Sequence, residues 1–584
     1  MTMRQWQLGA VLLGSVMLAA CGGNNTAVCT SNEQCGTGQT CENGICTLGS
    51  VDAGPGAQCN FTTDCNNGLV CCAARGNICE TSAVCGGNGG GSGGGTAGGS
   101  GGSGGSSGGS GGGSGGGTSA SCSAPTVVNG GTFGPSTQPS GCQHPIEVPN
   151  MPTYEREHYA NVSVGSTVHF TVRPNIGSIS IIQQVSSANP PDTVSISQSG
   201  QTFTVPNILA PGTLEDANGN SYFDLTTALT TGFPTPETAE GYMEAGAGGA
   251  ESAAFTLPNT TQGLSHETSG YPAGLWSFAV NDFAYECSAS GALNGQCQTS
   301  SSTQAYDVTI VTKPVASSTG TVNLNIFVVS DTKTAAAAIT DAGWKRMLST
   351  LATIYARGGL CLGTVTFYDV PAWAKTAYAT ISADDTTPCG DLDQMFTLSA
   401  GAKDGINLFF VDDLTASSDG ESGEVVGIDG AIPGPASVAG TVHSGAVVNG
   451  SFIDEGTSAT ACNNGIDFNN CGDDIDAYIA AHEGGHFMGL YHTTEAPGTT
   501  FDPISDTPQC PAATCDKTTT EADGGIVSGA DGEVSGLECS DDSSTNGSSC
   551  GGGDYLMFWL LDSNAYGKIS PQQGQIIRAN PVVQ

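Results

Sequence analysis

From Gly86 to Gly117 the chain is almost wholly glycine and serine, and nothing in that run can bury apolar surface. Such a stretch cannot sit inside a packed domain. It divides the 584 residues into parts that fold separately, joined by a flexible tether (residues 87–119) with an average span of roughly 30 Å.

On the N-terminal side, residues 29–85 hold ten cysteines. CTSNEQCGTGQTCENGIC and CNFTTDCNNGLVCC open with the same spacing, and so few apolar residues cannot support a core. Residues 21–86 thus read as a disulfide-rich repeat module, and the paired C-x₂-C ligands of a zinc ribbon are missing. The leader MTMRQWQLGAVLLGSVMLAAC pairs Arg4 with an apolar run too short to span a bilayer, the pattern of a signal peptide over residues 1–20. Its end, Leu18-Ala19-Ala20-Cys21, resembles the lipobox of bacterial lipoproteins. That resemblance implies acylation of Cys21 and a lipid anchor in the outer membrane or at the cell surface, with release to the exterior as a further destination. A plain secretory signal is the competing reading. Setting Cys21 aside leaves 22 of the 23 cysteines, an even number that fits full pairing in an oxidising compartment. Beyond the tether they fall into sequence neighbours (122/142, 287/297, 361/389, 462/471, 510/515 and 539/550), which suggests local clips.

Residues 120–316 read as an all-β, sandwich-like domain. Alternating runs such as ANVSVGSTVHFTVRP, DTVSISQSGQTFTVP and GLWSFAVNDFAYEC are separated by turn residues, and AYDVTIVTKP makes a closing strand. Within DANGNSYFD, Asp216, Asn218, Asn220 and Asp224 are candidate Ca²⁺ ligands. The loop lacks the sixth-position glycine and bidentate glutamate of a calcium loop, and Asn-Gly is also a hairpin turn.

After residue 317 strands alternate with helices, giving an α+β region to residue 584. TVNLNIFVVS, CLGTVTFYDV and GINLFFVDDL are strands. Ile339, Trp344, Met347, Leu348, Leu351, Ile354 and Tyr355 recur at helical spacing, and Gly358-Gly359 ends that helix. A second helix, with Asp473 or Asp474 as N-cap and Ile475, Tyr478 and Ile479 inward, leads into HEGGHFMGLYH at 482–492. Residues four apart share a helix face, so His482 and His486 can aim at one ion. Glu483 lies about 100° round, placed to reach a water beside it. Gly489 can end the helix in a left-handed conformation, and His492 can return as a third ligand. Three neutral nitrogens with a position left open describe a catalytic Zn²⁺ site. A helix built only for stability would avoid Gly484-Gly485, each costing about 1 kcal/mol against Ala. His443, alone in its segment, fits a turn or core residue better than a ligand.

The eleven residues match H-E-x-x-H-x-x-G-x-x-H, so the region 320–584 resembles the metzincin zinc peptidases. GGGDYLMFW offers Met557 as the Met-turn methionine. DPISDTPQCP and ISPQQGQIIRANP look most like the pappalysin group, Ser570 capping a C-terminal helix that starts at Pro571. The resemblance implies a metzincin-like catalytic domain at 317–584, His482, His486 and His492 as zinc ligands, and Glu483 as general base. Two positions depart from it. Trp559 stands where many metzincins carry a tyrosine, with Tyr555 on the other side of Met557 as a candidate for transition-state support. Gly484 replaces a bulky residue.

A formal net charge of −40, from 54 acids and 14 bases, repels phosphate backbones and argues against nucleic-acid binding. The expected function is a surface-anchored zinc endopeptidase acting on extracellular or cell-surface proteins. Calcium is a second candidate ion. The alternative is a non-catalytic adhesin or binding lipoprotein with an idle metalloprotein domain. A further reading makes the β domain a propeptide removed on activation.

Overall fold

The computed structural model describes residues 122–584 except 141–142, 144–153, 186–192, 199–200, 207, 225–238, 244–251, 285–297, 300–303, 384–389, 416–424, 454–461, 463–464, 517–518, 521–525, 528–532, 537, 540–549 and 562–565, and four short strands before residue 122. Cys21, the Gly/Ser tract and Cys142, Cys287, Cys297 and Cys389 lie outside the described residues. Contacts divide the chain into two compact units, one of Gly22–Gly115 and one that holds Gly116–Gln584.

In the first unit two antiparallel hairpins recur, Gln39–Glu42 with Ile45–Leu48 and Leu69–Cys72 with Ile78–Thr81. The register sets Cys41 opposite Cys46 and Cys71 opposite Cys79, so the sequence duplication is matched by a repeated backbone unit.

The second unit has mixed α/β content spread over several sheets. Its N-terminal part is antiparallel. Glu155–Ser163, Ala305–Pro314, Ile176–Val185 and Ser252–Leu257 form one sheet in that order. Thr167–Val172, Gly274–Ala284, Ile208–Glu215 and Ser221–Asp224 form the body of another. Alternate residues from both, among them Phe170, Ile179, Ile181, Phe255, Trp276, Phe278 and Val308, make one apolar core. The expected closing strand, Ala305–Pro314, lies inside its sheet and not at its edge.

The C-terminal part is built on a six-stranded sheet: β1 (Thr126–Thr132), β2 (Gly320–Val329), β3 (Leu360–Asp369), β4 (Ile406–Val411), β5 (Gly427–Asp429) and β6 (Ala446–Asn449), in the order β5-β6-β4-β2-β3-β1. All neighbours are parallel except β5, which runs antiparallel to β6. The near-continuous apolar runs of β2 and β4 fit strands covered on both faces. On one face Leu324, Ile326 and Val328 meet helix α1 (Ala342–Arg357) and helix α2 (Gly472–Phe487). On the other, Phe327, Val329, Phe409 and Val411 pack with Phe396 and Tyr368. β1 falls within residues 120–316, the span whose turn pattern reads as β domain, yet it pairs with β3. TVVNGGT is short and mostly exposed, so its pattern carries no sign of which sheet it joins.

Asp341 caps α1, accepting from the amides of Gly343 and Trp344 at 2.8 and 3.1 Å. Gly359, at φ +79°, follows its end. The cap of α2 differs from expectation. Cys471 is the N-cap, and Asp473 and Asp474 lie in the first turn. Asp474 is buried because α1 needs it: Arg346 meets it with Nε at 3.1 Å and a terminal nitrogen at 2.6 Å, and the Thr350 hydroxyl donates to it at 2.6 Å. Ser570 caps helix α3 (Pro571–Ala579), as the sequence suggests, and the structure adds Gln573, which completes a full capping box.

Of the described disulfides, Cys462–Cys471 is the local clip expected. The others correct the neighbour pairing. Cys122 joins Cys361, Cys510 joins Cys539 and Cys515 joins Cys550. The last two close loops of 29 and 35 residues, worth about 4 kcal/mol each by loop entropy against about 2 for a 510/515 clip. They also gather Cys510, Cys515, Cys539, Val534 and Phe558 into a small core.

The two parts of this unit are docked. Lys313, on the last turn of its strand, donates to the carbonyls of Arg578, Asn580 and Val583 at the C-terminus. Thr261 bonds to Pro503 and Gln572, Leu264 joins the core of the six-stranded sheet, and the Tyr242 ring meets Tyr491 edge-on at 5.3 Å.

Candidate metal centre

Helix α2 carries its chemistry in its last turn. His482 and His486 project from one face, and Gly489, at φ +100°, turns the chain as expected so that His492 comes back to them. The three Nε2 atoms lie 3.1 Å apart in each of the three pairings. Two nitrogens on a tetrahedral ion at 2.0–2.1 Å stand about 3.3 Å apart, so the spacing suits one shared ion.

Ring orientation points the same way. His482 Nδ1 lies 2.7 Å from the Leu556 carbonyl and His486 Nδ1 lies 2.7 Å from the Leu490 carbonyl. A carbonyl only accepts, so each Nδ1 bears the proton and each Nε2 turns a lone pair inward. The His492 Nδ1 stands 3.0 Å from both oxygens of Glu495. Three lone pairs held this close repel one another unless a cation lies among them. Protonation is a poor substitute: burial, then the neighbouring His492, pulls His482 down to about 3, and burial alone does the same to His492. His486 is driven well below its usual range by the same causes. The residues fit a metal ion.

Glu483 lies buried beside this triad, and Asp429 of β5 completes a second cluster with Glu483 and His486. Burial and then the charge of Asp429 push the Glu483 carboxyl well above the usual range, against the backbone amide of Asp429, which favours its ionised form. Asp429 is itself raised to about 7 by burial. As a residue it is only half-buried, but its Oδ2 is enclosed without a hydrogen-bond partner, and the carboxyl is what titrates. A Cβ on Gly427 would come within 2.5 Å of the Glu483 carboxyl, so glycine there lets β5 lie against it. β5 thus contributes the terminal strand next to Glu483.

Met557 is fully buried in the same core as α2. Its carbonyl accepts from the amide of Thr493, and the carbonyl before it holds His482, so one turn fixes the chain at two of the three histidines. The two glycines between the first ligands make room for neighbours. A Cβ on Gly484 would sit 2.1 Å from the Tyr355 hydroxyl, and one on Gly485 would sit 2.6 Å from the Met557 sulfur. Gly484 therefore marks close packing against Tyr355. Trp559 points elsewhere, its Nε1 donating to the Val534 carbonyl at 2.6 Å. The Tyr555 ring lies under the Lys568 ammonium, 4.8 Å from its centroid.

Asp216, Asn218, Asn220 and Asp224 belong to a hairpin. Asp216 Oδ1 accepts from the amides of Asn218 and Asn220 at 2.8 and 2.9 Å, its Oδ2 accepts from the Asn220 side chain, and Gly219 has φ +78°. These contacts build the turn that Asn-Gly announces. His443 is buried in the β5–β6 connection, a core residue as its isolation suggests.

Sequence reasoning did not single out Asp429 or Glu495. Glu495 had a weak signal, an acid three places after a ligand. Asp429, among 54 acids, had none. No protein-family model matches the chain, and no curated protein matches it either.

Proposed function

We propose that this chain is a zinc-dependent endopeptidase of the metzincin type, pappalysin-like in its catalytic region, held at a cell surface by a lipid on Cys21 and acting on extracellular or surface proteins. The observation that carries the reading is the set of three inward Nε2 lone pairs, 3.1 Å apart, next to the buried carboxyl of Glu483. His482, His486 and His492 would hold the ion. Zinc bound there supplies a Lewis acid that acidifies water and polarises a peptide carbonyl.

The rest is the work of the chain's own groups. Glu483 accepts the proton of the attacking water and passes it to the departing amine nitrogen. The Asp429 amide orients that carboxylate from β5. Among the described residues β5 ends the sheet order, so an extended substrate can pair with its outer side by main-chain hydrogen bonds. The Met557 turn keeps the histidines in register by its carbonyls.

Metal analysis of the purified protein, paired with casein hydrolysis before and after chelation, tests this. One zinc per chain and activity that chelation removes and zinc restores are expected. A protein with no transition metal, or hydrolysis indifferent to the chelator, overturns it.

A further inference from the structure

Two of the three histidines rest on main-chain carbonyls; His492 alone rests on a carboxylate. Both Glu495 oxygens lie 3.0 Å from its Nδ1, and both side chains are almost wholly buried, at 3% and 4% exposure. Among the described residues no other donor reaches that carboxylate. A buried carboxylate with one neutral donor is costly, because water is gone and a single hydrogen bond does not replace it. To stay ionised there it needs a cation close by.

We propose that Glu495 is a positioning residue of the metal centre: it accepts the Nδ1–H of His492, fixes that ring with Nε2 inward and balances the charge of the ion. The inference rests on the zinc reading above and names a part of the site that the histidine motif does not contain. The two positive charges of an ion at the three Nε2 atoms would offset an ionised Glu495, beside the carboxyls of Glu483 and Asp429 on the other side of the site. Carboxylate–histidine–metal triads of this form set the tautomer and raise the basicity of the ligand.

The fold holds Glu495 firmly in this role. Thr494 and Phe501 pair across a tight turn, the Glu495 amide donates to Thr500, and Gly498 donates back to the Glu495 carbonyl. Gly498 adopts φ +57° and its carbonyl accepts from Ala512, while Val534 donates to Ala496. Cys510 donates its amide to the Thr494 hydroxyl. The turn is thus clamped onto the segment that the Cys510–Cys539 and Cys515–Cys550 bridges staple together.

The test compares the full-length protein with Glu495→Gln and Glu495→Ala. Zinc affinity is read by competition with a chromophoric chelator, and the ligand field by the visible spectrum of the cobalt(II)-substituted protein. Glu495→Ala should bind zinc 10- to 100-fold more weakly and shift the cobalt bands. Glu495→Gln keeps an acceptor without the charge and should fall between, with near-UV circular dichroism unchanged. If wild type and both variants bind zinc equally and share one cobalt spectrum, Glu495 has no such role while the zinc reading stands. If wild type binds no metal at all, both fall together. A Gln variant that folds normally but loses as much affinity as Ala assigns the effect to charge; one equal to wild type removes the charge-balancing part of the proposal.

Discussion

The Met557 sulfur occupies the space that a side chain at Gly485 would need: a Cβ placed there would stand 2.6 Å from it. Gly484 has the same relation to the Tyr355 hydroxyl, at 2.1 Å. Alanine at either position gains about 1 kcal/mol of helix propensity, but overpacking a core costs about 1–3 kcal/mol. Gly484→Ala and Gly485→Ala should therefore lower the urea midpoint. Because the obstacle at 484 is one oxygen, Gly484→Ala should cost less in a Tyr355→Phe background. A stabilised Gly484→Ala protein would show that this packing does not matter.

Glu483→Gln keeps the size of the side chain and removes the base. It should leave zinc content at one per chain and cut peptide hydrolysis by about 10²–10⁴-fold, the usual contribution of a positioned base. Retained turnover would take Glu483 out of the mechanism.

Lys313 ties the β domain to the C-terminal tail through three carbonyls. Lys313→Met fills the volume but leaves those acceptors without their donor. Stability should fall by about 2–4 kcal/mol, with early proteolysis after Ala579. Equal resistance to a carboxypeptidase in variant and wild type would argue against the latch.

Burial holds the His443 imidazole down to about 4, only partly opposed by the Gly430 backbone. Between pH 6.5 and 4 the unfolded chain takes up a proton that the folded chain refuses. Stability present above pH 6.5 is then lost as the pH falls towards 4, by up to about 3 kcal/mol. His443→Asn should flatten this part of the curve, read as the difference in urea midpoint between pH 7.5 and 4.5. Parallel curves for the two proteins would assign the acid sensitivity to other groups.

Local patterns were legible wherever one element decides its own shape. The helical spacing from Trp344 to Tyr355, the Ser570 cap and the Gly489 turn are set by neighbours within a few residues and stand where the sequence put them. So does the convergence of His482, His486 and His492. But Ile339, read into the same helix as Trp344, sits on a separate short helix, Ala335–Thr340, that ends at the extended Asp341. What else escaped depends on partners far along the chain. Asp474 reads as a helix cap until Arg346 and Thr350 claim it. Cys122 reads as half of a local clip until β3 brings Cys361 to it. Asp429 enters the site because β5 reverses direction beside β6, and strand direction leaves no mark in three residues.

The bond between Cys122 and Cys361 bears on how this molecule could ever be trimmed. The polypeptide lays down β1, leaves to build the whole antiparallel domain, and only then returns as β2. That domain is a detour between two strands of one sheet, moored at both shores. One protease nick at 315–319 would yield two fragments that still travel together through the covalent bridge, and shedding the detour would take a second scission after Thr132.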